Sequence, residues 1–225
     1  MAEESRDVSK NPVTRAPEVG GTMLRNLLEI AINGTSVVPG AKAAAAKHLV
    51  RKATVEEAID SLVVTHVGLA TAQGFVTNIG GLATLAVALP ANIAGVAIVQ
   101  IRMVAAIAHL RGYDIDSRRV RTALILCLMG NDGVNRLVDE GVLPTPPLAI
   151  ATAPVFDESL DKLVSEKVLG ELLSRIGGRH AAVLLARRIP LLGGGVGGAM
   201  DGLSTIAIGG YAREQFVSRR RITQG

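Results

Sequence analysis

Aromatic residues and cysteine are scarce in this chain of 225 residues. Phenylalanine, tyrosine and tryptophan together make up 2% of it, and tryptophan is absent. Because membrane-spanning helices usually carry tryptophan and tyrosine at the two interfaces, this scarcity argues against a settled membrane protein. The mean hydropathy of +0.37 argues in the opposite direction. The single Cys127, in the apolar run TALILCLM, predicts a small buried side chain in a reducing compartment, and this favours the cytoplasm.

Motifs of common catalytic and metal sites are also missing. The four histidines show no H-E-x-x-H spacing, and one cysteine cannot build a zinc framework. The chain contains neither a G-x-S-x-G nucleophile elbow nor a P-loop. We therefore expect a non-enzymatic protein that holds no metal and no cofactor.

Small apolar residues, by contrast, are abundant. Hydrophobic residues account for 48% of the chain, which also has 25 glycines, and such side chains let helices approach closely. The stretch from Ser61 to Ile101 carries no formal charge when His66 is neutral. Because glycines and Pro90 divide it, the stretch fits either buried helices of a soluble bundle or apolar hairpins in a membrane.

No segment alternates apolar and polar residues as a strand would, so the predicted fold is all-α: a compact multi-helix bundle of eight to ten helices with close Ala/Gly-rich packing. Residues 1–20 are expected to form a disordered tail, residues 21–221 a single helical domain and residues 222–225 a short C-terminal tail. Local signals predict a first helix from Thr22 to Gly34, and a helix that begins at a capping box at Thr54 and is interrupted at Gly74. A new helix is predicted from Pro90. A loop is expected from Val142 to Pro154, followed by a helix that begins near Asp157 and ends at Gly177.

Basic residues cluster at two places in a chain of net charge +4. The candidates for contact with lipid or another anion are Lys42, Lys47, Arg51 and Lys52 on one helix, and Arg219, Arg220 and Arg221 at the C-terminus. A solvated helix face is the simpler interpretation of the first group. The alternative is an anionic membrane surface, and we expect nucleic acid not to be the partner.

Polar residues inside apolar helices form a second set of candidates. They are Asn92, Arg102, His109 and Asp201. Burying Arg102 or Asp201 alone would cost several kcal/mol, which suggests that the two form an ion pair. Such a pair would be structural in a dry core, or would hold a polar head group in a cavity.

Glycines near the C-terminus allow two interpretations. Gly193, Gly195 and Gly198 satisfy the dinucleotide-binding fingerprint G-x-G-x-x-G, which requires a preceding strand and a βαβ unit. Gly194, Gly198 and Gly202 instead form a stripe at intervals of four residues, which favours close packing of a neighbouring helix. We prefer the stripe, because no strand is predicted before these residues.

Two blocks of sequence, LPANIAGVAIVQIRMVAAIAHLRGYDID and RRIPLLGGGVGGAMDGLSTIAIGGYAREQF, resemble the EcsC family of bacterial proteins. The matching positions include Leu89-Pro90-Ala91, Gly112-Tyr113-Asp114 and Ile189-Pro190, and the resemblance extends from about Val38 to Arg220. Asn92 stands where the family has Asp. The family takes its name from a protein encoded beside an ABC transporter, so the resemblance implies a membrane-linked helical protein without established catalytic residues.

The leading functional hypothesis is a non-enzymatic protein associated peripherally with anionic membrane or lipid, in the cytoplasm at the inner face of the cell membrane. A transporter or another membrane-protein complex is a further candidate partner. One alternative is an integral membrane component with apolar hairpins, and another is a soluble protein that binds a nucleotide or small ligand through a loop at Gly193–Gly198. The oligomeric state does not follow from the sequence.

Overall fold

The computed structural model describes the backbone of residues 12–36, 38–79, 85–186 and 190–219, and the side chains of residues 22–36, 38–73, 94–174 and 197–219. The predicted all-α bundle is confirmed, since the described residues contain no strand beyond an isolated bridge between Gly34 and Pro39. The helices are α1 (Pro12–Asn33), α2 (Ala41–Leu49), α3 (Val55–Ile79), α4 (Leu85–Leu110), α5 (Arg118–Leu126), α6 (Gly130–Asp139), α7 (Pro147–Thr152), α8 (Glu158–Ala186) and α9 (Pro190–Gln215).

Helix α4 is the central element of the bundle. Every residue from Ile101 to Ala108 is buried, and the helix contacts α1, α2, α3 and α9. Most of these residues are Ala, Val, Ile or Met, so the core is filled by short aliphatic side chains from several helices. Cys127 is fully buried at the end of α5, as expected of a small hydrophobic residue.

Helices α3 and α9 pack as an antiparallel pair at very close range. Arg213 of α9 forms an ion pair with Asp60 near the start of α3. Further along the pair, Gly202 of α9 lies against Thr71 of α3. A Cβ at Gly202 would lie only 2.5 Å from the Thr71 Oγ1, so the backbones approach as closely as they do because Gly202 has no side chain. The close packing predicted for the glycine stripe is confirmed at Gly202, and the surroundings of Gly194 lie outside the described residues.

Two local signals in the sequence are confirmed. Helix α1 ends before Gly34, whose φ of 80° is a conformation that favours glycine. At the start of α3 the Thr54 Oγ1 accepts a hydrogen bond of 3.1 Å from the Glu57 backbone N–H, as the capping box predicts.

Other predicted boundaries are wrong, because the helices are longer than the Gly and Pro signals indicate. Helix α1 begins at Pro12 instead of Thr22, and therefore includes residues that the sequence assigned to the tail. Helix α3 continues through Gly74, α4 begins before Pro90, and α8 passes Gly177. A glycine within a helix costs only about 1 kcal/mol, and a proline near a helix start removes one backbone hydrogen bond, so flanking helix-forming sequence can outweigh either signal. The predicted loop from Val142 to Pro154 contains α7, which begins at Pro147, a residue suited to the first helical position.

The close approach of α3 and α9 predicts opposite effects for two glycines of the same helix. Gly202→Ala should lower the free energy of unfolding by about 1–3 kcal/mol, because its new methyl group overlaps Thr71. Gly210→Ala should leave stability unchanged or raise it by up to ~1 kcal/mol, since a Cβ there meets open space and alanine favours helix. Urea denaturation of both variants checks this, and equal stability of the two would contradict it.

Candidate functional site

A cavity of about 690 Å³ lies between α1, α2, α3 and α4. Aliphatic and other small side chains form most of its wall, while a few polar groups converge on it. Its lining consists of Ile30, Thr35, Val38, Pro39, Ala44, Lys47, His48, Thr65, His66, Leu69, Gln73, Gly95, Ile98, Val99 and Arg102. This volume is within the range of about 300–1,000 Å³ that is typical of small-molecule sites, so the cavity is the candidate functional site.

Arg102 of α4 is the most heavily buried charge on the cavity wall. Its side chain is held at two points. The Nε–H donates a hydrogen bond of 3.1 Å to Nε2 of His66 on α3, and Nη1 donates a longer one of 3.4 Å to the Pro39 carbonyl oxygen. Only 6% of the Arg102 surface is exposed, and this desolvation lowers the pKa of the guanidinium from its ordinary value.

The partners of His66 define its tautomer. Its Nδ1 lies 2.8 Å from the Leu62 carbonyl oxygen, which can only accept, so Nδ1 carries the hydrogen. Nε2 is then the unprotonated nitrogen that accepts from Arg102. Burial of the ring, together with the positive charge of Arg102, lowers the pKa of His66 to about 4. At neutral pH, His66 is therefore a neutral acceptor that fixes the orientation of the guanidinium.

The cavity has a positive electrostatic character. Of the lining residues that the structure describes, Arg102 and Lys47 are charged and none carries a carboxylate. Among the described side chains, no carboxylate oxygen lies within 4.0 Å of the Arg102 nitrogens. His48 lines the cavity beside Lys47, and its pKa is lowered by burial and by the nearby cations Lys47, Arg51 and Lys52. The arrangement is chemically suited to an anion attached to an apolar group.

The predicted ion pair between Arg102 and Asp201 is wrong. Arg102 binds His66 and Pro39 on the side of α4 that meets α2 and α3. Asp201 is fully buried in α9, where its backbone oxygen accepts a hydrogen bond of 2.7 Å from Thr205. The pairing of the two residues depended on the relative rotation of α4 and α9, which the sequence does not specify. Of the other buried polar candidates, His109 is half-buried near the end of α4, and the Asn92 side chain lies outside the described residues.

The structure separates the predicted basic residues into groups with different surroundings. Lys42 forms an ion pair of 2.5 Å with Asp116, so its charge is already compensated. Lys47 lines the cavity, and Arg51 and Lys52 are exposed on the turn between α2 and α3. Arg219 lies at the end of α4, where its guanidinium stands 5.3 Å from the centre of the Tyr113 ring. Arg220 and Arg221 lie outside the described residues.

Sequence reasoning missed two polar features of the core. In the sequence, His66 stands out only as an uncharged residue of an apolar stretch, although a lone histidine in such a helix can accept a hydrogen bond from a buried arginine. Gln100 of α4 donates a hydrogen bond of 3.1 Å to the Thr205 hydroxyl of α9. No pattern in the sequence indicates that these two residues are partners. Both features depend on contacts between helices that are distant along the chain.

A second cavity, of about 650 Å³, lies among α5, α7 and the start of α8. Its charged lining residues are Arg119, Asp157 and Glu158. Arg119 is already engaged, because it donates a hydrogen bond to the Ala153 carbonyl oxygen. Because this second cavity has two carboxylates and its guanidinium is already hydrogen-bonded, it is less suited to an anion than the cavity around Arg102.

The alternative interpretation of Gly193–Gly198 as a loop is not borne out, since these residues lie within the helical backbone of α9. The turn that a dinucleotide-binding fingerprint requires is therefore not formed there.

In the described parts of the chain, none of the helices combines the length and hydropathy needed to cross a bilayer. No protein-family model, curated protein or solved structure shows significant similarity to the chain.

The low pKa of His66 predicts a loss of stability in mild acid. Below pH 6.5 the unfolded chain binds a proton at His66, whereas the folded chain does so only near pH 4. Folding stability should therefore fall by up to roughly 3 kcal/mol from this residue as the pH decreases from 6.5 to 4. His66→Gln should remove this contribution, so urea denaturation at pH 7.5 and pH 5 should show a smaller pH dependence for the variant. An identical pH dependence in both proteins would refute the neutral, buried state of His66.

Proposed function

We propose that this protein is a non-enzymatic, lipid-associated protein that binds peripherally to anionic membranes. The single observation that carries the proposal is an exposed apolar strip on α3 and α9 that continues into the cavity. The resemblance to a membrane-linked family, a prediction from the sequence, agrees with this function. A cytoplasmic location at the inner face of the cell membrane, with a transporter or another membrane complex as partner, belongs to the same proposal.

The apolar strip consists of exposed side chains on both sides of the α3–α9 contact: Val64, Gly68 and Ala72 of α3, and Ala199, Met200, Leu203, Ile206, Ala207 and Gly210 of α9. Val64 is 72% exposed and Leu203 is 66% exposed. The antiparallel pairing described above places these residues at similar heights along the two helices, and none of them is charged. Contiguous exposed apolar surface of this kind is typical of sites that meet a membrane or another protein.

Leu69 connects the strip with the cavity. It lies on α3 one residue from Gly68, is 42% exposed, and also lines the cavity. An acyl chain that leaves the leaflet in contact with the protein would thus find apolar surface from α9 across α3 to the cavity. This continuity supports lipid association rather than a protein interface confined to the strip.

Cations at one end of α3 suit an anionic surface. Arg51 and Lys52 are exposed on the turn that leads into α3, next to the strongly exposed Val50. Neither forms an ion pair with a carboxylate among the described side chains. An apolar residue beside free cations matches the boundary between acyl chains and head groups, and each cation near such a surface contributes about 1 kcal/mol.

Removing the apolar strip should weaken membrane binding. The double variant Val64→Ser, Leu203→Ser should reduce sedimentation with phosphatidylglycerol vesicles by roughly tenfold or more, because both side chains lose burial in the bilayer. Val155→Ser, Leu173→Ser is the matched control: these residues are 75% and 55% exposed but lie outside the strip. Equal effects of the two double variants would exclude the strip as the contact surface.

Electrostatic contact predicts a dependence on charge and salt. Arg51→Gln, Lys52→Gln should lower binding to phosphatidylglycerol vesicles by roughly thirtyfold at low ionic strength, and much less at high salt. The control is Lys162→Gln, Lys167→Gln on α8, whose side chains are also exposed. Binding of neutral phosphatidylcholine vesicles should not distinguish the two variants. The role of the α2–α3 turn would be refuted if the control variant lost as much binding as the turn variant.

A further inference from the structure

We propose that the cavity between α1, α2, α3 and α4 is a binding site for one single-chain anionic lipid, a long-chain fatty acid whose carboxylate contacts Arg102. The choice of an acyl chain rests on the proposed lipid association. The anion site itself rests on separate observations, namely the contacts of Arg102 and the composition of the cavity wall.

The first observation is the incomplete coordination of Arg102. A guanidinium has five N–H donors, and the hydrogen bonds to His66 and Pro39 use two of them. Among the described residues the remaining three have no acceptor, and a carboxylate can accept two parallel hydrogen bonds from one guanidinium. Both present partners are neutral, so the positive charge remains uncompensated among the described side chains.

Burial makes this charge a strong determinant of ligand choice. Arg102 as a residue is only 6% exposed, so its guanidinium is poorly hydrated, and a carboxylate placed against it recovers much of the lost hydration energy. Lys47 adds a second positive charge to the lining, and none of the described lining residues is acidic. The cavity therefore selects an anion over a neutral or cationic group.

Shape and polarity determine the remainder of the ligand. Besides the polar Thr35, Thr65 and Gln73, the walls include the aliphatic side chains Ile30, Val38, Leu69 and Ile98, which suit an acyl chain. A volume of about 690 Å³ accommodates one flexible chain, whereas a phospholipid brings two chains and a larger head group. Leu69, exposed at the strip, marks the side from which the chain enters.

His66 acts as a positioning residue in this site. Its Nδ1–H is held by the Leu62 carbonyl oxygen, and its Nε2 holds the Nε–H edge of Arg102. Nη2 and the second N–H of Nη1 are thereby left for the ligand, since the other Nη1 hydrogen contacts the Pro39 carbonyl oxygen. Since the ring stays neutral at pH 7, it does not compete with Arg102 for the carboxylate.

The first test compares an acid with its ester on the unaltered full-length protein. Bound cis-parinaric acid is followed by fluorescence and displaced with palmitate or with methyl palmitate. Palmitate should displace the probe at least tenfold more effectively than the ester, because only the acid carries the charge. Equal displacement by the two, or no binding of the probe, overturns the proposal.

The second test uses variants of the cavity. Arg102→Gln should weaken palmitate binding at least tenfold and abolish the preference for acid over ester, while Lys167→Gln on α8 should leave both unchanged. Because loss of Arg102 disturbs a buried contact, Ile98→Phe provides a second variant that keeps the charge and fills the cavity. Ile98→Phe should weaken the binding of palmitate and the binding of methyl palmitate to the same extent. Native affinity for palmitate in a folded Arg102→Gln or Ile98→Phe variant overturns the site.

The third test identifies the source of the anion and separates the two proposals. The protein is incubated with phosphatidylglycerol vesicles that contain palmitate, recovered from the supernatant, and examined by native mass spectrometry. A mass increase of one palmitate supports the assignment, and that of one phosphatidylglycerol overturns it. Arg102-dependent palmitate binding by a protein that does not sediment with vesicles would refute membrane association while supporting the cavity site.

Discussion

The burial of the Arg102 guanidinium is the constraint on which the arrangement around the cavity depends. A charge in the middle of the central helix is tolerated only if its N–H groups find acceptors, and the nearest are the neutral ring of His66 and the carbonyl of Pro39. These contacts tie α3, α4 and the segment before α2 together through one side chain. They also leave the charge without a described counter-ion, so the same residue that holds three parts of the fold together makes the cavity attractive to an anion.

The scarcity of aromatic residues explains how a bundle this tight can also contain a large cavity. Helices whose contact positions are Gly, Ala, Val and Ile pack at short distance where small residues meet, as α9 does against α3 at Gly202. Where such helices diverge, short side chains cannot fill the space between them. The walls of the cavity are of this kind, with Ala44 among branched aliphatic residues such as Val38 and Ile98. A phenylalanine or tryptophan in the same position would occupy much of that volume.

The sequence predicted well those features that depend on a few neighbouring residues. The all-α class, the end of α1 at Gly34 and the capping of α3 by Thr54 follow from local patterns and are confirmed. The helix end predicted at Gly74 and the helix start predicted at Pro90 are wrong, because a local penalty of about 1 kcal/mol for glycine or about 3 kcal/mol for proline is outweighed by the helical preference of the residues on both sides. Arg102 was recognised as a buried polar residue, but its partner was not. The partner depends on how α4 is rotated against α3 and α9, and no local signal encodes that rotation.

The relation between the strip and the cavity gives the proposed function a physical rationale. Because Val64 and Leu203 are exposed, the isolated protein lacks the free energy that burial of these side chains would contribute. An uncovered apolar surface also promotes aggregation. That cost is understandable if the surface is covered while the protein works, and the uncharged strip with cations at one end matches the layered polarity of an anionic bilayer. Leu69 lies next to the strip and also in the cavity wall, so binding to the membrane would place the cavity entrance at the source of acyl chains. A fatty acid could then pass from the bilayer to Arg102 without its chain crossing water, and the membrane surface and the internal site would act as two stages of one path.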